Sequence, residues 1–189
     1  MRGVISGPLM VDTNVWVDYF MGKEARCHDA LEFVNQARDI GIRLLAAATS
    51  LKDVFFIMPR ELKRAALAVG YDVHAPGEAA ARQMMAWGCL ESIRDVATIA
   101  PVTLVECELA HILHKQHADF EDNLIMASAH TCQAEYVVTY DERMAHDFPG
   151  DCLTPRQALG LLGRGGDGGG CLGDAAWDAR VSRGQAPCS

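Results

Sequence analysis

The chain has 189 residues, half of them hydrophobic, which predicts one globular domain with a sizeable core. Its formal net charge of −8 argues against a large nucleic-acid footprint, because counterion release favours basic surfaces. That charge does not exclude nucleic-acid chemistry, since an acidic site can hold divalent metal ions, and these ions supply the positive charge that binds phosphate. No apolar run approaches the roughly 18–20 residues of a membrane span, and the first residues do not resemble a secretory signal.

Short apolar runs alternate with longer helical patterns over residues 1–162. Apolar runs of this length are typical of buried strands, and they occur at 8–12, 43–49, 97–102, 135–141 and 151–153. Helical patterns occur at 24–41, 51–58, 59–70, 77–96, 103–117, 119–132 and 155–162. Strands that alternate with helices predict a parallel sheet covered by helices on both faces.

Local signals refine two of these regions. Helix 24–41 is predicted to end at Gly41 and to bury one face, formed by Ala30, Leu31, Val34, Ala37 and Ile40. Ser50 is predicted to cap the next helix, with Asp53 in a capping-box position three residues later. Pro59 is expected to interrupt that helix or to start another, because proline lacks an N–H and clashes with the preceding turn.

Glycine becomes frequent from Gly163 onwards. Because glycine loses more backbone entropy on ordering than any other residue, we expect residues 163–189 to form a flexible C-terminal tail. The predicted organisation is one domain over 1–162 followed by this tail.

The seven cysteines are widely scattered and form no CxxC pair. An odd number at such spacing predicts neither a zinc ribbon nor a disulfide framework. Several lie in apolar helical stretches, where a reduced thiol behaves as a small hydrophobic side chain. We therefore expect a reducing, cytoplasmic environment.

Acidic residues follow two of the predicted strands. Asp12 ends the first strand and Asp141 follows YVVTY, and ligands of open parallel sheets lie outside the carboxyl ends of the strands. Asp119, Glu121 and Asp122 crowd the first turn of a helix. Helix capping alone could favour acids there, but three carboxylates so close together repel one another. A bound cation would relieve that repulsion.

Four motifs resemble those of the PIN-domain family of ribonucleases. They occur in the family's order and approximate spacing, between Leu9 and Leu162: VDTNVW (11–16), SLKDVFFI (50–57), DFEDNLIMASA (119–129) and VVTYD (137–141). The resemblance implies a three-layer α/β/α fold with a central parallel sheet. It also implies nuclease activity at an acidic metal site.

The resemblance assigns four acids to that site, which are Asp12, Asp53, Asp122 and Asp141. Thr13, Asn14 and Thr139 would support them by hydrogen bonding. The family usually has Glu at the second acid, and Asp53 is one methylene shorter; its spacing fits a structural role equally well. Asp119 would be an additional metal ligand or only a neighbour of Asp122.

The implied chemistry is hydrolysis of RNA assisted by Mg²⁺ or Mn²⁺, which prefer carboxylate and water ligands. Asp12, Asp122 and Asp141 would hold one ion, and Asp53 would assist with it or with a second. The metal would activate water for in-line displacement, leaving a 5′-phosphate and a 3′-hydroxyl. A basic cluster near Asp53 would guide the RNA backbone, or is simply a solvated helix face; it comprises Lys52, Arg60, Lys63 and Arg64.

Small stand-alone chains of this family are commonly VapC-like toxins of type II toxin–antitoxin pairs. The resemblance therefore implies a small antitoxin that covers the acidic site, and a homodimer. The alternatives are another metal-dependent phosphoesterase, or a non-catalytic PIN-like module that binds RNA or protein. We expect His111, His114 and His117 to be core or surface residues, because one helix cannot direct all three at one ion.

Overall fold

A computed structural model describes residues 4–22 and 25–162 of the chain. The predicted tail, 163–189, lies outside the described residues, and its flexibility stays a prediction. The strands are β1 (Leu9–Val11), β2 (Leu44–Ala47), β3 (Ala97–Ala100), β4 (Tyr136–Val138) and β5 (Cys152–Leu153). The helices are α1 (Thr13–Met21), α2 (Ala25–Asp39), α3 (Ala48–Ala68), α4 (Glu78–Val96), α5 (Leu104–Leu113), α6 (Phe120–Thr131), α7 (Glu142–Asp147) and α8 (Pro155–Leu162).

The strands form one parallel sheet in the order β3-β2-β1-β4-β5. In the central strand β1, Met10 is in register with Leu45 of β2 on one side and with Val137 of β4 on the other. From β1 the chain first builds the sheet outwards through β2 and β3, and then returns to add β4 and β5 beside the opposite edge of β1. The strand order therefore reverses between β1 and β4, which is where open α/β sheets bind ligands.

The two faces of the sheet enter two separate hydrophobic cores. Leu9 and Val11 belong to a core shared with α1, α2, α3, α4 and α8. Met10, which lies between them, belongs to a second core with residues of α6 and α7. This alternation is the period-two geometry of a strand. The predicted three-layer α/β/α fold with a central parallel sheet is confirmed.

Two short helices were not expected from the sequence, and each begins directly after a candidate site acid. The Asp12 side chain accepts a hydrogen bond from the Thr13 N–H at the start of α1. The Asp141 side chain accepts from the Arg143 and Met144 N–H groups at the start of α7. Both acids are therefore helix N-caps as well as candidate ligands.

The predicted break at Pro59 is wrong, because α3 continues through it without interruption. The buried residues Val54 and Met58 lie one turn apart on the face that enters the core, and this packing continues the helix past the proline. The predicted Ser50 cap is also wrong. The N-cap is Ala47, and Ser50 is buried within the first turn of α3, so no capping box forms with Asp53.

The apolar face of α2 is only partly as predicted. Ala30, Val34 and Ala37 are buried, but Leu31 is 37% exposed and Ile40, which follows the last residue of α2, is 51% exposed. Phe33 is fully buried instead. The buried stripe therefore follows the spacing 30, 33, 34 and 37, which the helical period places on one side.

Two further expectations concern membrane spans and disulfides. No helix in the described ranges is long and apolar enough to cross a membrane. The cysteines of the described part, at 27, 89, 107, 132 and 152, are all free thiols.

We predict that Trp16→Phe lowers the free energy of unfolding by about 1–3 kcal/mol. The buried Trp16 indole N–H donates a 3.1 Å hydrogen bond to the Val11 carbonyl, which ties α1 to the end of β1. Trp87, which is 57% exposed, provides a matched control, and Trp87→Phe should stay within about 0.5 kcal/mol of the parent. Urea unfolding measures both; equal changes would contradict the assignment.

Candidate active site

Asp12 and Asp141 follow the two strands that flank the reversal in strand order. The Asp12 N–H donates a 3.0 Å hydrogen bond to the Val138 carbonyl, which extends the pairing of β1 with β4 by one residue. The backbone of Asp12 is extended, so its side chain continues the alternation of β1 and faces the same side as Met10. That is the side of the sheet on which α6 lies.

The Asp12 carboxylate is 4% exposed and is held by three donors. The Thr13 N–H donates to Oδ1 at 2.5 Å, and both the Asn14 Nδ2 and the Thr139 hydroxyl donate to Oδ2 at 2.6 Å. The Thr139 hydroxyl also accepts from the Asp141 N–H at 2.9 Å. The three residues predicted to support the site therefore contact Asp12, and Thr139 joins it directly to Asp141.

Burial and neighbouring acids oppose the ionisation of Asp12. Burial raises the pKa of Asp12 to about 6, the hydrogen bond from Thr139 opposes that rise, and the charges of Asp122 and Asp141 add to it. Burial likewise raises the pKa of Asp122; the His117 hydrogen bond opposes this rise, and the charges of Asp119 and Asp141 increase it. Asp12, Asp122 and Asp141 therefore form one electrostatically coupled group, which we call the acidic triad.

Asp119 and Asp122 have different roles in the first turn of α6. Asp119 is the N-cap, and its Oδ1 accepts from the Glu121 N–H at 2.9 Å and from the Asp122 N–H at 3.4 Å. Asp119 therefore caps α6, which is the structural role that helix capping predicts for an acid at this position. Whether Asp119 also binds metal stays a prediction.

Asp53 is linked to α6 through a lysine. It lies in the second turn of α3, and its carboxylate forms a 3.0 Å ion pair with Lys52. The Lys52 ammonium also contacts the Glu121 carboxylate at 3.0 Å, beside Asp122 in the first turn of α6. Lys52 thus joins α3 to α6.

The rest of the predicted basic cluster continues along α3 away from Asp53. Arg64 forms an ion pair with Glu61 on its own helix. Arg60 and Lys63 are exposed.

His117 contacts the triad, which the sequence did not reveal. It is 3% exposed and lies beyond the last residue of α5, so the helical spacing to His111 and His114 does not apply to it. Its Nε2 is 2.9 Å from Asp122 Oδ2. The expectation that the histidines are core or surface residues holds, since His111 and His114 are exposed and stack on each other. The buried member nevertheless contacts a candidate metal ligand.

The chemistry of the donors fits a hard divalent cation, because carboxylate oxygens are the ligands that Mg²⁺ and Mn²⁺ prefer. The hydroxyl of Thr13, beside Asp12, is buried without a hydrogen-bond partner among the described residues, which leaves a polar atom for a further ligand. As the side chains stand, no three His, Cys, Asp or Glu residues within 4–22 and 25–162 are grouped closely enough to enclose an ion. Binding would therefore require the carboxylates to move towards the cation.

In metal-free protein, we predict that the contribution of Asp12 to stability falls as the pH rises from about 4 to about 6. The folded state binds the Asp12 proton more tightly than the unfolded chain, because the folded pKa is raised from 3.8 to about 6. Above that window, the ionised Asp12 carboxylate lowers the free energy of unfolding by on the order of 3 kcal/mol relative to the protonated form. Asp12→Asn cannot titrate, so the difference in unfolding free energy between parent and variant, measured in EDTA, should change across the window. Parallel pH profiles would contradict the raised pKa.

No curated protein matches the chain. Its structure is similar to a chain from a toxin–antitoxin complex of Klebsiella pneumoniae, with 17% sequence identity, a TM-score of 0.51 and coverage of 79% of this chain and 98% of that one. At that identity the likeness shows the fold alone. Residues 8–143 match the PIN-domain family model. The match spans more than half of the sequence, and the chain therefore belongs to the PIN-domain family, whose members are generally nucleases.

Proposed function

We propose that this chain is a metal-dependent endoribonuclease that hydrolyses RNA phosphodiester bonds, and the toxin of a type II toxin–antitoxin pair. The single observation that carries the proposal is the acidic triad. Burial and the neighbouring charges oppose the ionisation of Asp12, and the same causes raise the pKa of Asp122. A divalent cation among these carboxylates would replace that repulsion with attraction.

Each residue of the site would have a separate role in hydrolysis. Thr139 and Asn14 fix the orientation of the Asp12 carboxylate from the β4 side and from α1. Mg²⁺ or Mn²⁺, when bound, would lower the pKa of a bound water and neutralise charge on the phosphate. Asp53 would assist with the same ion or with a second one. In-line attack by water would leave a 5′-phosphate and a 3′-hydroxyl.

The basic residues of α3 would bind the RNA backbone. Lys52 contacts Glu121, which precedes Asp122 in the chain, and Arg60 and Lys63 follow it along the exposed side of α3. These residues form a basic cluster in a chain whose net charge is −8. Phosphate contacts of this kind orient a nucleic acid without reading its sequence.

The toxin assignment rests on family membership and on the similar fold of a chain from a toxin–antitoxin complex. A small antitoxin would cover the acidic triad and prevent cleavage, and the toxin would form a homodimer. The free thiols of the described part agree with the expected reducing, cytoplasmic environment.

Cleavage of RNA should require both a divalent metal and Asp12. We predict that single-stranded RNA is cut with Mg²⁺ or Mn²⁺, that EDTA stops the reaction, and that Asp12→Asn lowers the rate by at least about 100-fold, the scale on which loss of an electrostatic stabiliser acts. Product ends are identified by their response to phosphatase. RNA binding without cleavage would favour the non-catalytic module. Cleavage of DNA ends or small phosphate esters, with RNA left intact, would favour another phosphoesterase.

Divalent metal should also stabilise the folded protein. At a hundredfold excess over Kd the gain is about 2.7 kcal/mol for a ligand that binds only the folded state. Asp122→Asn should reduce the shift in melting temperature caused by Mn²⁺, whereas Asp53→Glu, which restores the family's usual side chain, should preserve it. An undiminished shift in Asp122→Asn would remove Asp122 from the ligand set.

Charge reversal on α3 should weaken RNA binding and leave metal binding unchanged. We predict that Arg60→Glu combined with Lys63→Glu lowers RNA affinity and reduces the slope of log K against log salt by about 1 for each lost phosphate contact. Arg156→Glu on the exposed surface of α8 is a control for a single reversal elsewhere. Binding is measured on the Asp12→Asn background, so that no substrate is consumed. Equal losses in the control would show that only net charge matters.

A further inference from the structure

A buried histidine bridges two carboxylates beside the acidic triad. His117 Nε2 is 2.9 Å from Asp122 Oδ2, and His117 Nδ1 is 2.8 Å from Asp147 Oδ2. The ring is 3% exposed, whereas Asp147, the last residue of α7, has a side chain that is 29% exposed. An ionised carboxylate only accepts hydrogen bonds, so the ring donates to both acids when both are ionised.

The surroundings fix the His117 ring. The Asn123 side chain donates to the His117 carbonyl at 2.8 Å, which holds the backbone of the histidine against α6. The Gln116 amide donates to the Asp147 carbonyl, and His146 Nδ1 contacts Asp147 Oδ1 at 2.8 Å. The ring also packs on Phe148, with centroids 5.7 Å apart. The bridge is therefore anchored at the end of α5, the start of α6 and the end of α7.

We propose that His117, held by Asp147, is a positioning residue that fixes the Asp122 carboxylate so that its second oxygen, Oδ1, can bind the divalent cation. The inference rests on the proposed function and adds to it a residue that was expected from the sequence only to be a core or surface histidine. In this role His117 would act through Asp122 and would itself bind neither the metal nor the substrate.

The physical reason is the freedom of an aspartate in the first turn of a helix. An unheld carboxylate samples several rotamers, and ordering it when the ion arrives costs free energy. A hydrogen bond to one oxygen orients the other in advance. Partners that hold metal ligands in this way typically change metal affinity by about 10–100-fold.

Mn²⁺ binding, measured by calorimetry at one pH, tests the inference with the full chain. We expect His117→Ala to weaken Mn²⁺ binding by about 10–100-fold. His117→Gln should recover part of the loss, because its amide can still donate to Asp122. His114→Ala removes an exposed imidazole three residues away and should bind Mn²⁺ like the parent. Melting temperatures in EDTA establish that each variant is folded.

The Asp122→Asn background separates positioning from a general structural role. If His117 acts through Asp122, adding His117→Ala to Asp122→Asn should weaken Mn²⁺ binding no further. Asp147→Asn leaves the histidine intact but loosens its anchor, and should give a smaller loss than His117→Ala. This surface substitution keeps the test decisive if His117→Ala fails to fold.

Three results would overturn the inference. The first is that folded His117→Ala binds Mn²⁺ as tightly as the parent or more tightly, and tighter binding would mean that the ring competes with the cation. If His117→Ala does not fold, the same result in Asp147→Asn counts against the inference. The second is that His117→Ala weakens Mn²⁺ binding by the same factor in the parent and in the Asp122→Asn background. If the parent chain itself binds no Mn²⁺, the proposed function fails first and this inference fails with it.

Discussion

The Asp12 carboxylate is buried where the strand order of the sheet reverses, and the cost of ionising it there constrains the rest of the site. Three donors from Thr13, Asn14 and Thr139 offset part of that cost. Asn14 extends the arrangement, because its side-chain carbonyl accepts from the Tyr140 N–H at 3.1 Å. The ends of β1 and β4 are thus held together by the same side chains that make a buried charge tolerable.

The sheet and the location of the acids could be predicted from sequence because both depend on local patterns. Apolar runs such as LMV and YVV are fully or partly buried strands, and a parallel sheet places the residues after them at one edge. Asp12 and Asp141 were found in this way. The supporting roles of Thr13, Asn14 and Thr139 came from the family resemblance, and each of these residues does contact Asp12.

What the sequence did not predict depends on contacts between distant segments. His117 meets Asp147 across thirty residues, and neither residue belongs to a motif. Pro59 was expected to end a helix because local rules favour a break, but packing of α3 on α4 and on the core continues it. The link between Asp53 and Glu121 likewise depends on Lys52, whose partners on α3 and α6 are far apart in the chain.

Helix capping, which the sequence presents as an alternative to metal binding for the cluster of Asp119, Glu121 and Asp122, is compatible with the metal site that we propose. Asp12, Asp119 and Asp141 each accept hydrogen bonds from backbone N–H groups at the start of a helix, so each carboxylate is oriented and partly neutralised before any cation arrives. Asp122 is the exception, since it lies three residues inside α6 rather than at its cap. Its carboxylate is held by the His117 side chain instead. The His117 imidazole therefore holds the Asp122 carboxylate by hydrogen bonding, as backbone N–H groups at helix termini hold the other three carboxylates.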